Sequence, residues 1–222
     1  MSRYRALLFD IGEVISAAPW PVLDDLERAT GRHFAGRGPL DPDHDPHWQH
    51  YLDGGLSYLG YWAEVARSAG YGDDWKRFFA DVGALPVERF CDPDAADLIS
   101  DAHGAGLLIG ALTNEGAAIN GMGFFGTVPE MRVFDSCLDA AEFGERKPAE
   151  EPYLRAAAAL GVDPTEVVFL DDTPACIWGA DAVGMTGVLV DATDRKPAFD
   201  LSLIHISEPT RPICLSRMPS SA

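Results

Sequence analysis

Five short apolar runs, spaced along the chain and separated by helical segments, constrain the fold more than any other feature. They are RALLF before Asp10, LLIGAL before Thr113, VFDSCL at 133–138, VVFL before Asp171 and GVLV at 187–190. Runs this short, rich in branched residues and bounded by polar ones, are expected to be buried parallel strands. Three intervening segments read as helices: DPDAADLISDAHG from Asp92, EEPYLRAAAALG closed by Gly161, and TPACIWGADAVG closed by Gly184. Each opens on an acid, Pro or Thr and ends on Gly, the usual start and stop chemistry of a helix. Strand and helix therefore alternate, and the expected fold class is α/β with a doubly wound, Rossmann-like parallel sheet. Such sheets bind ligands beyond the carboxyl ends of their strands. Those ends carry Asp10, Thr113, Asn114, Asp171 and Asp172.

The stretch from 16 to 91 is too long for a plain connection. Within it LDDLERATG, HWQHYLDGG, LSYLGYWAEVARSAG and DDWKRFFADVG place Trp, Tyr, Phe and Leu at helical spacing, which predicts a small helical cap inserted over the site. The expected organisation is a core of residues 1–15 and 92–200 with a cap at 16–91. A cap of this kind excludes water and selects substrates.

Hydrophobic residues make up 47% of the chain and charged ones 23%, the balance of a globular protein. A formal net charge of -18 repels phosphate backbones and anionic lipid, so neither nucleic acid nor membrane is an expected partner. No apolar run reaches the roughly 20 residues that span a bilayer, and MSRYRALLFD lacks the layout of a signal peptide. A cytoplasmic location is the expectation, and the sequence leaves oligomeric state open. Cys91, Cys137, Cys176 and Cys214 show no metal-binding spacing and are expected to be reduced, mostly buried thiols. Residues 201–211, LSLIHISEPTR, and 216–222, SRMPSSA, resemble in that order the translation of a transposase sequencing adapter. The native chain is therefore expected to read to about residue 200, with 201–222 a non-native, adapter-derived tail.

Four separated pieces, LLFDIGEVI, ALTN, GERKP and VFLDDTP, resemble in order the four motifs of the haloacid dehalogenase-like hydrolases, subfamily IA with a helical cap. The resemblance extends over residues 1–200. It implies a nucleophile at Asp10, a phosphate-binding hydroxyl at Thr113, a lysine at Lys147 and an acidic pair at Asp171 and Asp172. It further implies Mg2+ bound by Asp10, Asp172 and the carbonyl of Gly12, with Asp171 as a further candidate ligand. Hard oxygen ligands suit that ion. Thr113, the Asn114 backbone N–H and Lys147 then hold the phosphoryl oxygens. The implied activity is Mg-dependent hydrolysis of a small phosphorylated metabolite, a sugar phosphate or similar, through an aspartyl phosphate.

Phosphatases of the family usually carry a second Asp two positions after the nucleophile, serving as general acid and base. Gly12 stands there. Its loss costs roughly 100- to 10,000-fold for a poor leaving group, unless neighbouring Glu13 substitutes. Cys176 departs similarly, replacing an acid or amide that supports the metal. Two other readings stay open: a dehalogenase-type hydrolase using the same Asp10, which also lacks that second Asp, and a catalytically weak phosphate-binding or regulatory protein. A gathered acidic pair speaks against the former, because metal-free displacement of halide gains nothing from extra negative charge. Thr113 could equally cap a following helix. The GxGxxG of residues 121–126 lacks a preceding strand, and His44, His47 and His50 are read as a polar loop interrupted by Pro46.

Overall fold

The computed structural model describes residues 3–16, 19–38, 41–56, 58–85, 91–114, 129–191 and 194–207. Its strands are β1 (Ala6–Phe9), β2 (Leu108–Thr113), β3 (Ser136–Asp139), β4 (Val167–Asp171) and β5 (Thr186–Leu189). They form one parallel sheet in the order β3-β2-β1-β4-β5. An α/β, Rossmann-like fold results. β1 and β4 are buried throughout; full burial of each Leu or Phe there contributes about 1.5–3 kcal/mol. The expectation of five buried strands is corrected at the edges. β3 leaves Cys137 exposed and β5 leaves Leu189 half exposed, since each has a neighbour on one side only. β3 also starts later than expected, because Pro129–Val133 forms a 3-10 turn ahead of it.

The helices are α1 (Pro19–Thr30), α2 (Pro46–Leu52), α3 (Tyr58–Ala66), α4 (Trp75–Gly83), α5 (Pro93–Gly104), α6 (Glu150–Leu160), α7 (Pro174–Ala182) and α8 (Lys196–Ser207). α1 to α4 all fall between β1 and β2. The segment expected as one helix over 56–70 stops at Ala66 and continues as a π-turn over Arg67–Tyr71, where Gly70 takes φ 80°. Pro46 opens α2 as its first residue instead of interrupting a helix. That start is held by Asp45, fully buried, which accepts the His47 and Trp48 N–H groups on one oxygen (3.1 and 3.0 Å). Its other oxygen accepts the Gly38 N–H and the Tyr61 hydroxyl (2.9 and 2.8 Å). Burial works against this charge, yet these donors outweigh it and hold the carboxyl below its usual range.

Two apolar clusters flank the sheet. Leu7, Phe9 and Ile11 share one with Trp62, Val65 and Phe78 of the helical insert, and Leu8 and Leu112 share the other with Tyr153, Ala156 and Ile177. Residues 201–207 continue α8, with Ser202 buried and its hydroxyl donating to the Ala198 carbonyl at 2.9 Å. No helix among the described residues is long and apolar enough to cross a membrane. Residues 121–126 lie outside the described residues.

Candidate active site

The parallel register decides which side chains meet. Phe9 lies level with Ala111 on one side and Leu170 on the other, and the Asp10 N–H continues the ladder to the Leu170 carbonyl at 2.8 Å. Asp10 and Asp171 thus leave the sheet side by side. Beyond Asp10 the chain turns tightly: the Ile15 and Ser16 N–H groups both donate to the Ile11 carbonyl (3.1 and 2.9 Å). Inside this turn Glu13 takes φ 56°, a left-handed conformation costing a residue with a side chain about 1–2 kcal/mol. Two contacts hold it there: its N–H donates to Ser16 Oγ at 3.3 Å, and Arg195 Nε donates to its carbonyl at 2.8 Å.

Lys147 arrives from the loop before α6, more than a hundred residues away in sequence. The Asn114 side chain fixes its backbone from both ends, accepting the Lys147 N–H at 2.9 Å and donating to the Lys147 carbonyl at 3.0 Å. So anchored, the buried ammonium lies 2.7 Å from an Asp10 oxygen and 2.7 Å from an Asp171 oxygen. The other Asp171 oxygen accepts the Thr173 N–H at 2.8 Å. Both Asp171 oxygens are therefore engaged, whereas Asp172, one residue on, is less deeply buried.

The electrostatics follow from that geometry. Asp10, Asp171 and Asp172 offer oxygens all within 4.8 Å of one another, among the described residues the one such group of three. His44 instead pairs with Asp41 at 2.7 Å in an exposed turn. One ammonium faces three carboxylates, so negative charge is in surplus. Burial, opposed by Lys147 and reinforced by Asp171, pushes the Asp10 carboxyl up to about 6. Burial with Asp10, Asp171 and Glu13 nearby pushes Asp172 up to about 7. Glu13 also rises to about 7, from burial and Asp10, against a lowering by Arg195. Burial disfavours the Lys147 charge, but Asp10 and Asp171 reverse that and raise it. A pocket of hard oxygens with too little positive charge matches a divalent cation of the Mg2+ type.

Of the residues singled out from sequence, Asp10, Lys147, Asp171 and Asp172 converge, and Glu13 is close enough to interact electrostatically with Asp10 and Asp172. Gly12 sits against the same carboxylate: a Cβ there would meet only Asp10 Oδ2, at 3.6 Å. Thr113 is buried at the end of β2, the strand beside β1. Asn114, expected to contribute its backbone N–H, does something further with its side chain, the clamp on Lys147. Cys176 is buried, and burial with Asp171 nearby pushes its thiol up to about 12. Cys91 is half-buried and Cys137 exposed, contrary to the expectation of mostly buried thiols; Cys214 lies outside the described residues. Two contributors carry no signal in the sequence. Tyr153 donates its buried hydroxyl to the Cys176 carbonyl at 2.7 Å, joining α6 to α7. Arg195 braces the Glu13 turn, and no motif marks it.

Comparison with known proteins agrees with this arrangement. A family model for haloacid dehalogenase-like hydrolases matches residues 4–184. The phosphatase MT3486 of Mycobacterium tuberculosis is 32% identical over 103 residues, covering 46% of this chain and 48% of that protein. A phosphoglycolate phosphatase of Salmonella paratyphi A is 26% identical over 162 residues, covering 73% and 56%. The chain spans about half the length of these curated relatives. Among solved structures, a putative β-phosphoglucomutase from Thermotoga maritima superposes with a TM-score of 0.62 at 14% identity, over 90% of this chain and 99% of that one. A subfamily IA hydrolase of Geobacter sulfurreducens gives 0.57 at 18%, over 90% and 97%, so the fold is shared. With Asp10 at the end of β1 in contact with Lys147 and the family model spanning both, the chain belongs to the haloacid dehalogenase-like hydrolases.

Proposed function

We propose that this chain hydrolyses the phosphate monoester of a small metabolite, with Asp10 as nucleophile. The observation that carries the reading is the buried lysine 2.7 Å from both Asp10 and Asp171, with Asp172 beside them. Lys147 orients the Asp10 carboxylate and presents positive charge to the anionic ester. Asp171, with both oxygens engaged, holds Lys147 in place. Asp10, Asp172 and the Gly12 carbonyl would hold Mg2+, with Asp171 behind them. Bound there, the ion offsets the charge of the phosphoryl oxygens. In the first half-reaction an Asp10 oxygen attacks phosphorus, the bond to the ester oxygen breaks, and the leaving oxygen takes a proton from Glu13. In the second, Glu13 removes a proton from water, which attacks phosphorus and releases phosphate, restoring Asp10. Thr113 and the Asn114 N–H serve as donors to the phosphoryl oxygens. The helical insert acts as a cap whose side chains choose the substrate, a sugar phosphate or a related metabolite.

Phosphatase-named relatives support this reading. A relative named (S)-2-haloacid dehalogenase, of Burkholderia cepacia and 28% identical over 110 residues, keeps a dehalogenase-type hydrolase using Asp10 as the second reading. The test is phosphate release from a panel of small phosphate esters, with and without Mg2+, for the wild type and Asp10→Asn. Activity that needs both the ion and the carboxylate is expected. Activity indifferent to both overturns the proposal, and halide release without metal establishes the alternative.

A further inference from the structure

We propose that Arg195 is a positioning residue of this site, fastening the Glu13 turn to the two chain segments that lead into and out of the helical insert. This rests on the reading of Glu13 as proton donor. Arg195 lies beyond residues 4–184, the part of the chain that the family model matches. One guanidinium makes three contacts. Nε donates to the Glu13 carbonyl at 2.8 Å, a second nitrogen donates to the Ser16 carbonyl at 3.4 Å, and a third pairs with the Asp92 carboxylate at 3.1 Å. Both charged side chains are largely buried, at 10% and 17% exposure, where an ion pair is least screened.

The three partners belong to different parts of the chain's path. Glu13 lies in the turn after β1, Ser16 opens the segment entering the insert, and Asp92 closes the segment leaving it. The two segments also touch directly: Ser16 and Cys91 form an antiparallel bridge, and the Asp92 N–H donates to the Ile15 carbonyl at 2.9 Å. Asp92 caps α5 as well, its other oxygen accepting the Asp94 and Ala95 N–H groups at 3.0 and 3.1 Å. A planar fork of fixed donors suits such a junction, whereas the point charge of lysine reaches one partner at a time. The left-handed Glu13 is a conformation the chain does not favour by itself. Arg195 fixes the peptide that follows it, and so the direction in which its side chain leaves the turn. Any swing of the insert about Ser16 and Asp92 is then transmitted to Glu13 through one side chain.

The test compares the wild type, Arg195→Gln and Arg195→Lys in kcat/KM for an alkyl phosphate, whose leaving oxygen needs a proton, and for acetyl phosphate, whose leaving group does not. Amide hydrogen exchange at Glu13, Ser16 and Asp92 is measured alongside, relative to β1 and β4. Arg195→Gln is expected to lower kcat/KM for the alkyl phosphate by about tenfold or more and that for acetyl phosphate by no more than about threefold. Exchange at the three junction amides is expected to speed up by about tenfold with the strand amides unchanged. Arg195→Lys should fall between. An equal loss for both substrates, or none for either, overturns the proposal, as does unchanged junction exchange. If the wild type turns over neither substrate, the phosphatase reading fails separately, and the exchange data alone decide whether the fastening exists.

Discussion

Replacing Lys147 by Met removes one charge and keeps an unbranched side chain of similar length, so it isolates the ammonium that links Asp10 and Asp171. Both contacts are 2.7 Å, and the lysine and Asp171 side chains are each 2% exposed. Removing one partner from such a buried group leaves carboxylates without compensation, which costs about 3–5 kcal/mol. In a domain whose whole stability is about 5–15 kcal/mol, that is a large fraction. At about 2–4 °C per kcal/mol for a chain of this size, the melting temperature should fall by roughly 6–20 °C. The assay is urea unfolding at pH 8 in EDTA. The same variant at pH 5 supplies the internal control. Without the ammonium, Asp10 binds a proton more readily than in the wild type, where it already titrates near 6. An acid whose folded-state value is raised destabilises the fold above that value and ceases to do so below its unfolded value. The deficit should therefore shrink on acidification. A deficit under about 1 kcal/mol at pH 8 refutes the assigned electrostatic role, and a deficit equal at both pH values assigns the loss to packing instead.

Metal-free protein should gain stability between about pH 7 and pH 5, because Asp10, Glu13 and Asp172 all titrate above the ordinary carboxylate range; saturating Mg2+ should flatten that rise in a thermal melt. Gly12→Asp should change kcat/KM for alkyl phosphates by no more than about threefold, because Glu13 already supplies the proton, although the new Cβ meets nothing closer than 3.6 Å. A gain toward the roughly 100- to 10,000-fold contribution of a placed acid/base would show that Glu13 does not do this work. Asp45→Ala should cost about 2–4 kcal/mol, combining the lost cap of α2 with the stranded Gly38 N–H and Tyr61 hydroxyl. Because that carboxyl is held low when folded, its benefit is full above the unfolded value and should fade as pH falls below about 4.

What could be read from sequence was what repeats or is bounded. β1, β2 and β4 are buried on both faces, so their apolar runs stand out, and Gly161 marks the end of α6 because it alone suits the left-handed φ 67° there. β3 and β5 have only one neighbour each, and their half-exposed residues blur the pattern. The acids and Thr113 stand out because apolar runs place them at strand ends, and Lys147 because it falls in the GERKP motif. Asn114's clamp and the Arg195 junction do not. They join positions 33 and 182 residues apart, and such pairings arise from topology alone, with no local periodicity to announce them.

With Asp10 as nucleophile, a phosphoryl group resides on its side chain during turnover. Mixing the protein with acetyl phosphate and Mg2+, quenching within one turnover, reducing with borohydride and mapping the peptides by mass spectrometry tests it directly. Conversion of Asp10, and of no other carboxylate, to homoserine is the predicted result. Phosphate release with an unaltered Asp10 peptide at every quench time would contradict it.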